Sequence, residues 1–307
     1  MRQADAWPAV LAAATVGVQV GAATVASRAV VAEVGPASLA MLRYAIGAAC
    51  LLPFLWTVPR VRFQGWDLAA VAALGIGQFG ILVFLLNFGL LYISSARAVL
   101  LFATFPLMTL LLSALLGRER LTLAKTAGVV VSFSGVALAL LEKLAVSQDQ
   151  PDAGEWLGVA AVLGAALTGA VCSVLYRPYL QKYPTLPVST LAMVASVFFL
   201  MFLALPEGAL RSVPSLGLSA WAAIAFVGLS SGGAFFCWLW ALGRLPPTQV
   251  TVFLSLGPVT AALLGSLFLD ETLSWLTLAG LAAVVAGLII AFARRGDPQS
   301  QRRTRPL

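Results

Sequence analysis

The sequence lacks most of the residues that carry enzyme chemistry. It has no histidine, which removes the commonest proton shuttle and metal ligand together. Cys50, Cys172 and Cys237 lie singly in apolar runs, at no metal or redox spacing, and read as small buried fillers. No Asp or Glu falls at the middle of an apolar run, so neither a nucleophile with its base nor a carboxylate pair stands at one depth. No catalytic residue, metal site or cofactor is expected. No G-x-x-x-x-G-K-[ST] loop occurs, so ATP does not drive the protein directly. What remains is uncharged polarity. Gln19, Gln78, Thr168 and Ser230 fall at the midpoints of four apolar runs, and Asn87 and Trp238 lie within three turns of such midpoints. Polar groups at bilayer depth are costly unless satisfied. A set of them at one level fits the wall of a central cavity for a neutral or zwitterionic solute. Interhelical hydrogen bonding, at roughly 0.6 kcal/mol each, is the plainer use of the same groups.

Two prolines mark further candidates. Pro106 and Pro258 fall mid-run, where a missing N–H frees the carbonyl four residues earlier, here that of Phe102 and of Leu254. Thr104 and Ser255 lie beside them as cavity candidates, and the prolines are expected to act as kinks or gates. Arg43 is the one charge inside a run. Its long side chain can snorkel to the near interface and Glu33 in the preceding turn is available as a partner, so a structural role is expected ahead of the alternative, binding an anionic substrate. Glu119 and Glu271 close two runs, each just before a Leu-Thr or Leu-Ser step into the next. Carboxylates there favour the following helix N-terminus and read as structural turn chemistry.

The elements that must position these groups are membrane helices. Hydrophobic residues make up 61% of the 307 and charged ones 10%, against roughly 25% charged in soluble domains. Apolar runs occur at about 8–31, 36–57, 66–92, 96–116, 122–141, 155–177, 187–206, 219–243, 248–269 and 273–293. Each is long enough to cross a bilayer. The formal net charge of +7 comes from basic residues at run ends and in the tail, not from a phosphate-binding stripe, so nucleic acid is not an expected partner. With the N-terminus inside, the inner loops hold Arg2, Arg60, Arg62, Arg118, Arg120, Lys125, Arg177, Lys182, Arg244 and the tail arginines. The outer loops hold Arg28, Arg97, Lys143 and Arg211. That bias places both termini in the cytoplasm of a multi-pass inner-membrane protein.

The chain also repeats. A shift of 152 positions puts Pro106 on Pro258, Glu119 on Glu271, Leu121 on Leu273, Gly128 on Gly280, Gly135 on Gly287 and Gly80 on Gly232. The expected fold is all-α: ten transmembrane helices in two five-helix repeats, residues 1–148 and 149–307 with its basic tail. Five is odd, so the repeats are inverted in the membrane. Secondary transporters use that arrangement, with the substrate near the midplane between repeats.

The strings "FPLMTLLLSALLGRERLTLAKTAGVVVSFSGVAL" and "GPVTAALLGSLFLDETLSWLTLAGLAAVVAGLII", with "PASLAMLRYAIGAACLLP", resemble the drug/metabolite transporter superfamily, specifically its EamA-type ten-helix members. The first helix reads "VGVQVGAATVASRAVV" where many members open with Trp-Gly, and the embedded glutamate of the small four-helix members is absent. The resemblance implies a secondary transporter exporting small metabolites, amino acids among them. It implies a small-molecule substrate and the bilayer as partners; a monomer suffices, and a dimer is compatible with it. Two alternatives stand beside it. A nucleotide-sugar or sugar-phosphate transporter of the same superfamily needs several convergent Lys or Arg. An intramembrane enzyme acting on lipid needs the catalytic pairs that the runs lack.

Overall fold

A computed structural model describes residues 6–58, 61–117, 153–208, 216–245, 247–269 and 275–293, with part of 122–138. The described residues are helical, with no strand among them. Helix α1 spans Ala6–Val34 and α2 spans Pro36–Leu51, continued by a 3₁₀ turn Leu52–Thr57. Helices α3 (Asp67–Gly75) and α4 (Leu82–Gly89) form one rod through a π turn at Ile76–Ile81. Next come α5 (Ser95–Phe102), α6 (Phe105–Leu115), α7 (Ala153–Lys182), α8 (Thr185–Ala204) and α9 (Leu218–Arg244). Helix α10 (Pro247–Val252) leads through a 3₁₀ turn, Phe253–Ser255, into α11 (Leu256–Phe268), and α12 spans Trp275–Ala293. Described residues within 123–138 are also helical.

Among the described residues, eight helical stretches are long and apolar enough to cross a membrane: Trp7–Val34, Pro36–Thr57, Asp67–Gly89, Arg97–Leu115, Gly154–Lys182, Thr185–Ala204, Leu218–Arg244 and Pro247–Phe268. Their sides facing away from the bundle carry exposed Phe198, Phe202, Leu263 and Phe268, as a lipid-facing surface should. Trp7, Trp56 and Trp66 are exposed at helix ends, where indole rings favour the headgroup level.

Punctuation sets the helix ends. Gly35, at φ 91°, reverses the chain between α1 and α2, a conformation only glycine adopts cheaply. Pro36 then opens α2, where its missing N–H costs nothing. The prolines of the fourth and ninth runs break their helices a turn upstream. Residues Ala103 and Thr104 form a turn before Pro106, and Phe253–Ser255 is 3₁₀ before Pro258.

The ends define two faces. Asp67 at the start of α3 meets Lys182 at the end of α7 and Tyr183 just beyond it. At the opposite face Asn87 reaches Pro36, Arg97 pairs with Glu155, and Glu207 meets the start of α2. Helix packing is reciprocal between the halves. Helix α1 packs on α9 as α7 packs on α4; α2 packs on α9 as α8 packs on α3; α1 packs on α11 as α7 packs on α6; and α2 packs on α8. Where α2 crosses α9, Gly47 and Gly232 face each other: a Cβ on Gly232 would lie 3.1 Å from the Cα and carbonyl oxygen of Gly47. A side chain at either glycine would require the facing backbone to give by a few tenths of an ångström.

Candidate functional site

A cavity lies at mid-depth, among helices of both halves. Its walls are Val16, Val20 and Thr24 of α1, Arg43 of α2, and Gln78, Leu82, Val83 and Leu86 of the π turn and α4. Phe102 and Phe105 border the first proline break, Phe235 and Trp238 come from α9, and Leu254 from the second break. The empty space between the walls, including its open mouth, is about 460 Å³. Most of this wall is aliphatic or aromatic.

Gln78 is the twelfth of the 23 residues in its span, Asp67–Gly89, hence its central depth. It lies in the π turn, a widened helical turn that recurs at functional sites. It is 3% exposed, and its Oε1 has no hydrogen-bond partner among the described residues. Trp238 is 2% exposed, and its indole N–H likewise has no partner there. Both expected cavity residues are in the wall.

Arg43 is where the structure departs most from the sequence reading. Its side chain does not snorkel: the residue is 4% exposed. Nor does it pair with Glu33, which is exposed at the end of α1. Its Nε instead donates to Ser231 Oγ at 2.6 Å. The guanidinium carbon lies 5.5 Å from the Phe235 ring centroid and 5.7 Å from that of Tyr44. Tyr44, Phe79 and Phe235 form a packed aromatic cluster with centroids 4.8 to 5.6 Å apart. Cation–ring contact partly offsets the cost of burying the charge. Among the described residues, no carboxylate lies within salt-bridge distance of Arg43 and no protein group accepts from its terminal nitrogens.

Gln19 and Ser230 stand behind the wall. Gln19 Nε2 donates to Ser230 Oγ at 3.1 Å and to Ser231 Oγ at 3.3 Å. Ser231 therefore takes bonds from α1 and α2 at once and fixes Arg43 from behind. Ser231, which sequence reasoning missed, is the hinge of this network.

Other expected cavity residues spend their polar groups elsewhere. Thr104 donates to Leu101 O at 2.8 Å and Thr168 to Gly164 O at 2.8 Å; neither lines the cavity. Asn87 ties α4 to Pro36 O at 3.1 Å. Tyr176 is fully buried. The Ser255 side chain, Glu119 and Glu271 lie outside the described residues. Phe102, Phe105 and Phe235 were missed, since aromatics in an apolar run carry no sequence signal that separates cavity wall from core.

Cys172 is buried and Cys50 and Cys237 are half-buried, all free. The described residues hold no group of three metal-ligating side chains.

Comparison with known proteins fits this architecture. The pattern of the EamA-like transporter family matches residues 7–141 and again 156–293. An uncharacterized transporter of Archaeoglobus fulgidus is 31% identical over 266 residues, covering 85% of this chain and 90% of the relative. A probable terminal-alkyne amino-acid exporter of Streptantibioticus cattleyicolor is 29% identical over 257 residues, covering 83% and 84%. One solved crystal structure superposes with a TM-score of 0.70 at 24% identity over 97% of this chain and 98% of the other, which speaks to fold alone. With both halves matched, this multi-pass membrane chain belongs to the EamA-like transporter family.

Proposed function

We propose that the protein is a secondary carrier that exports small organic metabolites, amino acids or related solutes among them, by alternating access around the Arg43 cavity. It performs no enzymatic step. The observation that carries this reading is the cavity, built at mid-depth by helices of both halves beside two proline breaks. The resemblance to a probable terminal-alkyne amino-acid exporter of Streptantibioticus cattleyicolor supports the solute class. The phosphorylated-sugar alternative is less well supported, because one cation borders the cavity and Arg97 is paired with Glu155.

The architecture behind this reading is ten helices in two inverted repeats, 1–148 and 149–307. Reciprocal packing of the halves supports it. So does chain direction. Helix α5 starts beside the Arg97–Glu155 pair, so α6 ends toward the opposite face, whereas α7 begins at that pair. The apolar run 122–141 then supplies a fifth crossing. The excess of Lys and Arg in one set of loops argues for the inner membrane with both termini cytoplasmic. Alternation around the cavity rests on the proline breaks acting as gates.

Counterflow in proteoliposomes tests the reading. Vesicles are loaded with unlabelled amino acids or neutral metabolites, and uptake of the labelled counterpart is followed. Accumulation that Gln78→Ala and Trp238→Ala both reduce supports a carrier with this cavity. Well-folded, reconstituted protein that accumulates no solute of the panel defeats it.

A further inference from the structure

We infer, on the carrier reading above, that the cavity recognises its solute through a carboxylate attached to an apolar body, and that an amino group on the solute is not required.

The argument starts from an imbalance of charge. Arg43 is a permanent cation, nine-tenths and more buried, in a wall that holds no acidic residue. A buried guanidinium without a counter-ion is costly. Proteins pair such charges or reserve them for a ligand. The acidic groups nearest in sequence or at the ends of neighbouring helices are committed or distant. Glu207 is bound to the start of α2, and Glu33 is exposed.

The geometry then selects the ligand. Ser231 holds the Nε edge of the guanidinium, with Gln19 holding Ser231. That leaves the end-on pair of terminal nitrogens, which matches the two oxygens of a carboxylate. The unpartnered indole N–H of Trp238 is a second donor in the same wall. The remainder, including Leu82, Leu86, Phe102, Phe105 and Leu254, offers dispersion contact to an uncharged body. An ammonium has no corresponding partner. It would meet Gln78 Oε1 and ring faces, but no negative charge, and Arg43 would repel it. A zwitterion therefore gains from its carboxylate and nothing decisive from its amine.

The test uses purified full-length protein and four matched probes: 3-phenylpropionate, L-phenylalanine, phenethylamine and 3-phenylpropan-1-ol. Affinity is measured by calorimetry in detergent, and counterflow of each labelled probe is measured against protein-free vesicles. The expected ranking has 3-phenylpropionate binding at least as tightly as phenylalanine, and phenethylamine more than tenfold more weakly. Arg43→Gln should weaken both carboxylates tenfold or more and leave the alcohol unchanged. Arg43→Lys should recover part of the loss, and Trp238→Phe should weaken the carboxylates severalfold. Should Arg43→Gln not fold, the ranking on the parent protein and the Trp238→Phe result decide alone. Phenylalanine binding without 3-phenylpropionate binding, an amine or alcohol binding as well as the acid, no binding by any probe, or an Arg43→Gln protein with intact carboxylate affinity each overturns the inference. The two readings fail separately. Binding of 3-phenylpropionate without counterflow upholds the carboxylate site and defeats the carrier. Counterflow of phenylalanine without 3-phenylpropionate does the reverse.

Discussion

Helix α2 carries two charged junctions seven residues or fewer apart in register, and they are built in opposite ways. At its N-terminus Glu207 arrives from beyond α8 and every oxygen is used. Oε1 accepts from Ala37 N at 2.9 Å, and Oε2 accepts from Ser38 N and Ser38 Oγ, both at 2.8 Å. Gly35 is shaped around this contact, since a Cβ there would lie 2.5 Å from Glu207 Oε2. A carboxylate on a helix N-terminus also meets the positive end of the dipole. Further down the helix, Arg43 uses one of its three guanidinium nitrogens and leaves the others to the cavity. The first junction is closed and holds helices together. The second is open and costs stability until something fills it.

Removing the open charge should have the largest effect on function. Arg43→Gln is expected to lower carboxylate transport efficiency on the order of 100-fold, in keeping with loss of one partner from a desolvated charge pair. Its thermal midpoint in detergent should be no lower than the parent's, because the change removes an unpaired buried charge. Kinetics of counterflow and a thermal melt on one preparation check both halves. A large drop in melting temperature would make Arg43 a strut, and the contrast with Glu207 would disappear.

Gly232→Val should damage both properties. The new side chain meets the backbone of Gly47 and must push α2 from α9. Overpacking of this kind costs about 1–3 kcal/mol, and Ser231 next to it would shift away from Arg43. Unfolding titration and probe affinity are expected to fall together. The closed junction should behave differently. Glu207→Ala leaves two N–H groups of α2 without their acceptor, a loss comparable to an N-cap deletion, about 1 kcal/mol. Affinity for the probes should not change, because Glu207 does not border the cavity.

Much of this arrangement can be read from sequence, and the failures have physical causes. Gln78 and Trp238 are legible because they combine central depth with a polar atom that neighbouring residues in sequence do not satisfy. Gln19 and Ser230 are legible as polar, but their mutual bond crosses from α1 to α9 and depends on packing. Thr104 and Thr168 mislead because a helical threonine returns its hydroxyl to the backbone three or four residues back, as both do here. Arg43 misleads most. Its nearest carboxylate in sequence is Glu33, and only the crossing of α2 with α9 brings Ser231 within reach. Local charge pairing cannot foresee a partner 188 residues away.

The smallest effect is expected at the opposite face, where the chain has another closed junction but an exposed one. Asp67 Oδ2 accepts from Lys182 Nζ and from Tyr183 Oη, each at 2.6 Å, and Tyr183 Oη in turn accepts from Gln64 N at 3.0 Å. The Lys182 side chain is about half exposed, so water competes for its charge and salt screens it. Exposed ion pairs contribute little. Lys182→Ala should leave the melting temperature and probe affinity of the parent unchanged within error. The tyrosine is the stronger member, since its ring packs on Phe63 with centroids 4.7 Å apart and its hydroxyl joins Asp67 to the segment before α3. Tyr183→Ala should therefore lower the melting temperature measurably where Lys182→Ala does not. If the lysine change is instead the more damaging, charge rather than packing closes this face, and a satisfied charge would have to count for more at the surface of the bundle than Glu207 suggests.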